Sequence, residues 1–410
     1  MNELRCMGCG SKEVTVVLSL GDMPPSNAFL TEGDLDGPEK RYPLDLAFCP
    51  TCGLAQITVS VDPEELFGEY AYFSSYSTTM LEHARSIVTR MIEERALGAD
   101  SLAMEIASND GYLLQYYAEA GVPVLGIEPA RNVAAEAAGR GVETLCRFFG
   151  RELAEELRAT GRRAHVLHAN NVLAHVPDIN GVVTGIGRVL TDGGVAVIET
   201  PCVRDLVERL EFDTIYHEHL FYYSLTSLQR LCERNGVRVV DVERIPIHGG
   251  SLRVFASPAD TAQAPSRAVA DLLREEDLAG IGTLAYFQGF AERVTAQRKR
   301  LTTMLSDLKA QGHRIAAYGA AAKGVILLNA CGIGADVIDF VADRSEYKQG
   351  RFMPGVHVPI VAAERILSDM PDEVLVLAWN LADQIFEQQA AYRERGGRFI
   401  IPVPHPVVVG

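Results

Sequence analysis

Two cysteine pairs constrain the start of this chain more than any other feature. Cys6-Met7-Gly8-Cys9 and Cys49-Pro50-Thr51-Cys52 are each followed by a glycine, Gly10 and Gly53. A C-x-x-C turn sets two thiolates on one side of a tight loop, and two such turns make a tetrahedral S4 site for zinc. The glycine after each pair lets backbone amides turn toward the sulfurs. Cys6, Cys9, Cys49 and Cys52 leave no coordination position open, so the metal is expected to be structural. Two redox-active pairs are the competing reading. A metal held this way closes residues 1–65 into a cap. Between the pairs, GDMPPSNAFL is a turn-rich loop. Met23, Ser26 and Asn27 are its candidate ligand contacts, although an ordinary loop is the simpler account.

The chain has 410 residues, too many for a single core. It is 48% hydrophobic and 22% charged, an ordinary globular balance. Its net charge of −16 argues against nonspecific nucleic-acid or anionic-membrane binding, both of which need basic patches. No apolar run reaches transmembrane length, and MNELRCMGCG lacks the features of a signal peptide. A cytoplasmic protein is expected, and eight cysteines over this length do not make a disulfide scaffold.

Past the cap, GEYAYFSSYSTT sets Tyr70, Tyr72, Phe73 and Tyr76 beside serines, which either pack a domain edge or wall a ligand. MLEHARSIVTRMIEER then has helical spacing, with Ser77 or Thr78 as N-cap. SLAMEIASNDGYLLQYY reads as a strand over 102–107, a turn at Ser108-Asn109-Asp110-Gly111, and a helix. VPVLGIEPARNVAAEAAGRG adds a strand ending in Glu128, and a second helix. This opens a parallel sheet whose ligand crevice lies at the carboxyl ends of its strands. Glu128 is placed to accept from both ribose hydroxyls of a nucleoside. No G-x-G-x-x-G cradle is present, which disfavours a dinucleotide. AHVLHAN ends a third strand at Asn170-Asn171, with His175 one turn on, and VAVIETP is a fourth. SLTSLQRLCERNG is an amphipathic helix, and two strands about a His-Gly-Gly-Ser turn at 248–251 close the unit. A final antiparallel hairpin after a parallel αβ series is the plan of class I methyltransferases.

Within this unit, Tyr216-His217-Glu218-His219 puts two imidazoles, a carboxylate and a phenol into four residues. Each can pass or polarise a proton near neutral pH. The stretch has neither strand nor helix periodicity, and loops on rigid scaffolds are where chemistry usually sits. His217 and His219 also allow a metal reading, but no third ligand lies at a standard spacing.

The order E-I-A-S-N-D-G, G-I-E-P, A-N-N-V-L-A-H-V, Y-H-E-H-L and H-G-G-S-L, behind the cysteine pairs, resembles the sugar C-methyltransferases that act on thymidine-diphosphate-linked 4-keto-deoxysugars. The resemblance spans nearly the whole chain. It implies S-adenosylmethionine as methyl donor and a role in deoxysugar and antibiotic biosynthesis. Methylating a sugar carbon needs a base to remove a proton beside the ketone, and donors for the enolate oxygen. The resemblance implies His219 as that base, with Glu218 as its orienting neighbour or a second polar contact. Tyr216, Tyr76 and His175 are implied around the ring and keto oxygen. In the usual first motif, E-x-G-x-G-x-G, this chain offers Glu105, Ala107, Asn109 and Gly111, keeping only the last glycine. That turn is expected to take the methionine end of the cofactor and Glu128 the ribose. Asn170 and Asn171 would lie along the sulfonium or adenine. C3 is the expected methylation position, and C5, which also flanks the ketone, is the rival.

SPADTAQAPS marks the next boundary, so domains are expected at 66–257 and 258–410. Residues 266–280 and 282–311 read as helices. HRIAAYGAAAKGVILLNACG then repeats the strand–turn–helix signature, with Gly319 and Gly324 at the ends of a G-x-A-x-x-G turn. Strands DVIDFVAD, ending at Asp343, VLVLAWN, ending at Asn380, and GRFIIPVP follow. A Gly/Ala turn opening a helix suits a diphosphate. It equally resembles a nicotinamide site with Asp343 at the ribose. The resemblance favours the first, with Tyr318, Lys323 and Asn380 gripping the nucleotide-sugar and Arg253 also meeting the diphosphate. The expected fold class is α/β: a class I methyltransferase sheet with an N-terminal zinc-binding domain and a C-terminal Rossmann-like domain. The expected partner is a sugar nucleotide, and the resemblance leans to a monomer. An NAD(P)-dependent 4-ketoreductase and a zinc-containing scaffold without catalysis are the rival functions.

Overall fold

The computed structural model describes residues 3–62, 74–260 and 263–410. The middle sheet is the largest. Its strands are β4 (Ala103–Ile106), β5 (Val124–Ile127), β6 (Thr144–Leu145), β7 (Ala164–Asn170), β8 (Leu190–Pro201), β10 (Val237–Ile245) and β11 (Ser251–Pro258). They lie in the order β10-β11-β8-β7-β4-β5-β6. Strands β4 to β8 run parallel, while β11 pairs antiparallel with both β8 and β10. One reversed strand inserted beside the last of a parallel series is the class I methyltransferase arrangement expected from the sequence. All four residues of β4 are buried, as a strand covered on both faces requires. The helix Thr78–Arg95 covers one face with Met80, Ala84, Ile87, Val88 and Met91, and Ser77 caps it by accepting from the Met80 amide.

The cap is a sheet of β1 (Thr15–Met23), β2 (Tyr42–Phe48) and β3 (Ala55–Ile57), completed by a strand from far along the chain, β9 (Phe221–Tyr222). Ala55 pairs with Tyr222 and Gln56 with Phe221. The residues straight after the Tyr216–His219 cluster therefore belong to the cap sheet.

The third sheet holds β12 (Ile315–Tyr318), β13 (Val341–Asp343), β14 (Ile360–Ala362), β15 (Glu373–Val376), β16 (Arg398–Ile401) and β17 (Val407–Val409), in the order β14-β13-β12-β15-β16-β17. All pairs are parallel except the last. Two sequence readings shift here. The helix expected over 282–311 begins only at Phe290, because Gly289 takes a left-handed backbone (φ 73) and Leu284–Phe287 is a separate short turn. The strand expected to end at Asn380 ends at Val376, and Asn380 lies in a 3-10 turn, Trp379–Leu381.

A continuous buried cluster runs from Cys6, Leu18 and Leu46 through Ile106, Leu167 and Ile198 to Leu327, Leu375 and Ile400. The three sheets thus share packing instead of hanging on linkers. No helix among the described residues is long and apolar enough to cross a membrane.

Candidate active site

The chain leaves β8 through a short helix (Val203–Glu208) and a 3-10 turn (Phe212–Thr214), then reverses at His217-Glu218. The loop is pinned where it rejoins the cap: the Leu220 amide donates to Ala174 O at 2.6 Å, and Leu220 O accepts from the Ile57 amide. This fixes His219. Its Nδ1 lies 3.2 Å from the Thr214 carbonyl oxygen, and its Nε2 lies 2.7 Å from the Tyr216 hydroxyl. A carbonyl can only accept, so Nδ1 carries the hydrogen. Nε2 of the neutral ring therefore presents its lone pair, and Tyr216 donates to it. The Tyr216 ring stacks on His219 at 4.0 Å, and His175 meets it edge-on at 4.7 Å. Burial pushes His175 down to about 4, so it is neutral at ordinary pH.

Glu218 turns the other way, into a junction of all three sheets. Both its oxygens accept from Asn27 Nδ2 of the cap, each at 2.8 Å. Burial pushes its carboxyl up to about 7, against the Asn27 bond and the charge of Lys348, which pull it down. Lys348 comes from the third sheet's loops, donates to the Ala320 carbonyl at 2.8 Å, and stands over the Phe29 ring. His217 is a cap anchor: its Nε2 lies 3.3 Å from Pro43 O and its ring packs against Tyr42. It sits in a turn and not a strand, so His217 and His219 share no face. Among the described residues, the group able to hold a metal is the cysteine set.

The crevice at the carboxyl ends of β4, β5 and β7 repeats left-handed backbone at Ala107 (φ 52), Asn109 (φ 49) and Gly111 (φ 78). Two glycine positions of the usual motif thus keep glycine-like geometry with other residues in place, at a cost of about 1 kcal/mol each. A Cβ on Gly111 would also press on Val142 at 3.0 Å. The Asn109 side chain accepts from the Ser74 amide, and Ser75 donates to Asp110 at 2.5 Å. This ties the Ser74–Tyr76 turn to the crevice, with Tyr76 68% exposed. Tyr70, Tyr72 and Phe73 lie outside the described residues. Glu128 is buried and accepts from the amides of Asn109 (2.9 Å) and Ala130 (2.8 Å). Glu105 is buried beneath the turn, and burial pushes its carboxyl well above the usual range. Glu105 Oε2, Ser108 Oγ, Asp110 Oδ1, Asn170 Oδ1 and Asn171 Oδ1 are buried with no partner among the described residues. Orphaned acceptors clustered at strand ends are what a bound polar ligand with several donors would satisfy.

In the cap, the four cysteine sulfurs lie within 4.8 Å of one another, with Cys6–Cys52 at 3.5 Å and Cys9–Cys49 at 3.6 Å. Zinc–sulfur bonds of about 2.3 Å in a tetrahedron put sulfurs about 3.8 Å apart, so the set fits the metal. Gly10 and Gly53 adopt the left-handed backbone, and their amides close each turn onto the carbonyls of Cys6 and Cys49.

Three family models match in order: a zinc-binding domain at residues 6–67, a methyltransferase domain at 77–242 and a C-methyltransferase C-terminal domain at 246–404. The C-methyltransferase NovU of Streptomyces niveus is 38% identical over 404 residues, spanning 98% of this chain and 96% of NovU. The chain belongs to the C-methyltransferase family. Among solved structures, this C-methyltransferase overlaps part of its length with the PH0226 protein of Pyrococcus horikoshii (TM-score 0.38, 13% identity, 48% of this chain and 97% of that one). It also overlaps the magnesium protoporphyrin IX methyltransferase of Synechocystis (TM-score 0.33, 13% identity, 43% and 78%).

The C-methyltransferase's third sheet treats the proposed substrate residues unequally. Lys323 donates to Asn380 Oδ1 at 2.8 Å and stands 4.4 Å from the Trp379 ring centroid. Burial lowers its pKa, while Asp213 and Glu211 of the middle domain raise it. Tyr318 points into the sheet's core with Phe340, Val376 and Tyr392, because its place in the strand alternation puts it on the packed face. Arg253 is corrected outright as a diphosphate contact. It lies opposite Glu199 across β11 and β8, with Nε 2.7 Å from Glu199 Oε1 and Nη1 3.3 Å from Glu243 Oε2. His83 Nε2 adds a 2.8 Å contact to Glu199, so the guanidinium is committed to buried carboxylates. Lys348, Trp379 and Asp213 were not singled out from the sequence, where each is a lone residue without a motif.

Burial also pushes Glu211 up to about 8 and Asp213 up to about 6. With Glu218, these carboxyls hold protons in the folded protein at pH values where the unfolded chain, near 4.5 or 3.8, has released them. Their contribution to stability is present below the unfolded values and lost as pH rises through the folded ones. The melting temperature should therefore fall from about pH 4 to about pH 8, as pH rises from the unfolded values of these carboxyls through their folded ones, and Glu211→Gln should flatten the decline. A variant that tracks the wild type in parallel at every pH would contradict this.

Proposed function

We propose that this C-methyltransferase moves a methyl group from S-adenosylmethionine to a ring carbon of a thymidine-diphosphate-linked 4-keto-6-deoxysugar, at C3 beside the ketone. The observation that carries the reading is the His219 arrangement: an imidazole whose Nδ1 meets a carbonyl and whose Nε2 meets a phenol, so that in the neutral ring Nε2 is the basic nitrogen. His219 Nε2 takes the proton from the carbon next to the ketone. The resulting imidazolium keeps the Thr214 carbonyl on Nδ1, where the new positive charge strengthens the bond. Tyr216, released from Nε2 as the proton arrives there, donates its O–H to the enolate oxygen. Neutral His175 packs edge-on against His219, while Glu218, its carboxyl raised by burial, anchors the same turn to Asn27 of the cap.

The orphaned acceptors at Glu105, Asp110, Asn170 and Asn171, with Glu128, support S-adenosylmethionine in the crevice. When bound, the cofactor supplies an electrophilic methyl group for the substrate carbon. Lys323, Asn380 and Lys348 are the cationic and polar groups offered to the nucleotide-sugar. Asp343 accepts main-chain amides from Ala320 and Ser345, just as Glu128 does from Asn109 and Ala130, so the rival nicotinamide reading is left to direct binding. Calorimetry decides between the two classes. S-adenosylmethionine should bind with a stoichiometry of one, weakened at least about 10-fold by Glu128→Ala, and NADPH should give no heat. Binding of NADPH without S-adenosylmethionine would overturn the reading.

A further inference from the structure

The third sheet touches the turn that holds the base at a point outside the cofactor crevice. Trp379 Nε1 donates to Asp213 Oδ2 at 2.7 Å, across the boundary between the C-terminal and methyltransferase domains. Asp213 is fully buried, at the centre of the Phe212–Thr214 turn. The turn's next residue supplies the carbonyl that receives His219 Nδ1–H at 3.2 Å. The Thr214 carbonyl also accepts from the Tyr222 hydroxyl at 3.4 Å, and two bonds lie within the turn: Thr214 Oγ1 donates to Glu211 O at 2.7 Å, and the Ile215 amide to Phe212 O. The indole is itself held, because Lys323 stands over its ring and bonds the neighbouring Asn380. The helix Ala322–Cys331 that carries Lys323 packs on the same turn.

We propose that Trp379 and Asp213 are positioning residues for His219: the indole–carboxylate bond orients the 212–214 turn so that the Thr214 carbonyl holds the proton on Nδ1 and leaves Nε2 as the base. The physical ground is that the hydrogen bond made by one ring nitrogen decides which nitrogen carries the proton. Outer partners that orient a working imidazole are as much a part of a site as the imidazole itself. A turn free to rotate by a fraction of an ångström weakens the Nδ1–H bond. The ring then samples the tautomer with its hydrogen on Nε2, which cannot accept a proton there. The inference rests on the proposed role of His219 as base, and its test keeps the two apart.

The experiment reads the tautomer directly. Nitrogen-15 NMR of histidine-labelled protein, with the His219 signals assigned by their loss in His219→Asn, should show Nδ1 protonated and Nε2 bare in the wild type. Trp379→Phe keeps an aromatic ring and removes the N–H. It should shift His219 toward a tautomer mixture and lower kcat about 10-fold with KM within about twofold, the size expected when one hydrogen bond is lost. Asp213→Asn, which still offers a carbonyl oxygen to the indole, should keep the wild-type tautomer, whereas Asp213→Leu should not. If Trp379→Phe melts below the assay temperature, the Asp213 pair carries the comparison. Wild-type His219 signals in both Trp379→Phe and Asp213→Leu would overturn the positioning role. A shifted tautomer with unchanged turnover would leave the positioning intact and overturn His219 as the base.

Discussion

Replacing His219 with asparagine should lower the rate of methyl transfer by roughly 10²–10⁴-fold, the usual worth of a positioned general base. Asparagine can still donate to the Thr214 carbonyl, so the loop's local bonding survives while the Nε2 lone pair is lost. The loss should fall on kcat, with KM and the affinity for S-adenosylmethionine little changed, because no proposed cofactor contact is touched. Melting temperature should stay within a few degrees, since His219 is only partly buried. Single-turnover rates beside a thermal melt separate the chemical from the structural outcome. Full methyl transfer by a folded His219→Asn protein would remove His219 as the base.

The second large effect arises far from any substrate. Cys49→Ser, or stripping the metal with a chelator, should unfold the cap, because a structural zinc site contributes about 10–16 kcal/mol of apparent binding energy to its domain. The cap carries Asn27, which holds both Glu218 oxygens, and β3, which pairs with the strand just after His219. Activity should therefore fall nearly as far as in His219→Asn, although no cysteine touches a reacting atom. Metal analysis should find one zinc per chain in the wild type and a substoichiometric amount in Cys49→Ser. A wild-type protein free of zinc, or a Cys49→Ser variant with full activity and an intact cap, would contradict the structural role.

Much of the fold was legible because it is written in local patterns. Buried strands such as Ala103–Ile106 read as short apolar runs bounded by turn residues, and the amphipathic Thr78–Arg95 helix shows its face by spacing alone. The cysteine pairs declare themselves by spacing too. Local pattern misled where one residue carried the decision: Gly289 breaks what composition makes look like a single helix. Tyr318 looked like a turn residue facing a ligand, but strand alternation sends it inward. Arg253 looked free for a diphosphate until the β8–β11 register set it opposite Glu199. In the candidate site, the sequence names the residues of one turn and not what meets them. Asn27 reaches Glu218 across 191 positions, and Trp379 reaches Asp213 across 166. Such contacts follow from how three sheets pack, and no periodicity within a segment encodes them.

The account turns on a carbon being methylated after His219 removes its proton. The direct measurement is to incubate the protein with S-adenosylmethionine and a thymidine-diphosphate-linked 4-keto-6-deoxysugar, weigh the product, and locate the new group by NMR. The prediction is a gain of one methyl, bonded to C3 beside the ketone, in the wild type and not in His219→Asn. A methyl on C5 would keep the chemistry and correct the position. A methyl on oxygen, or none at all, would contradict the central claim.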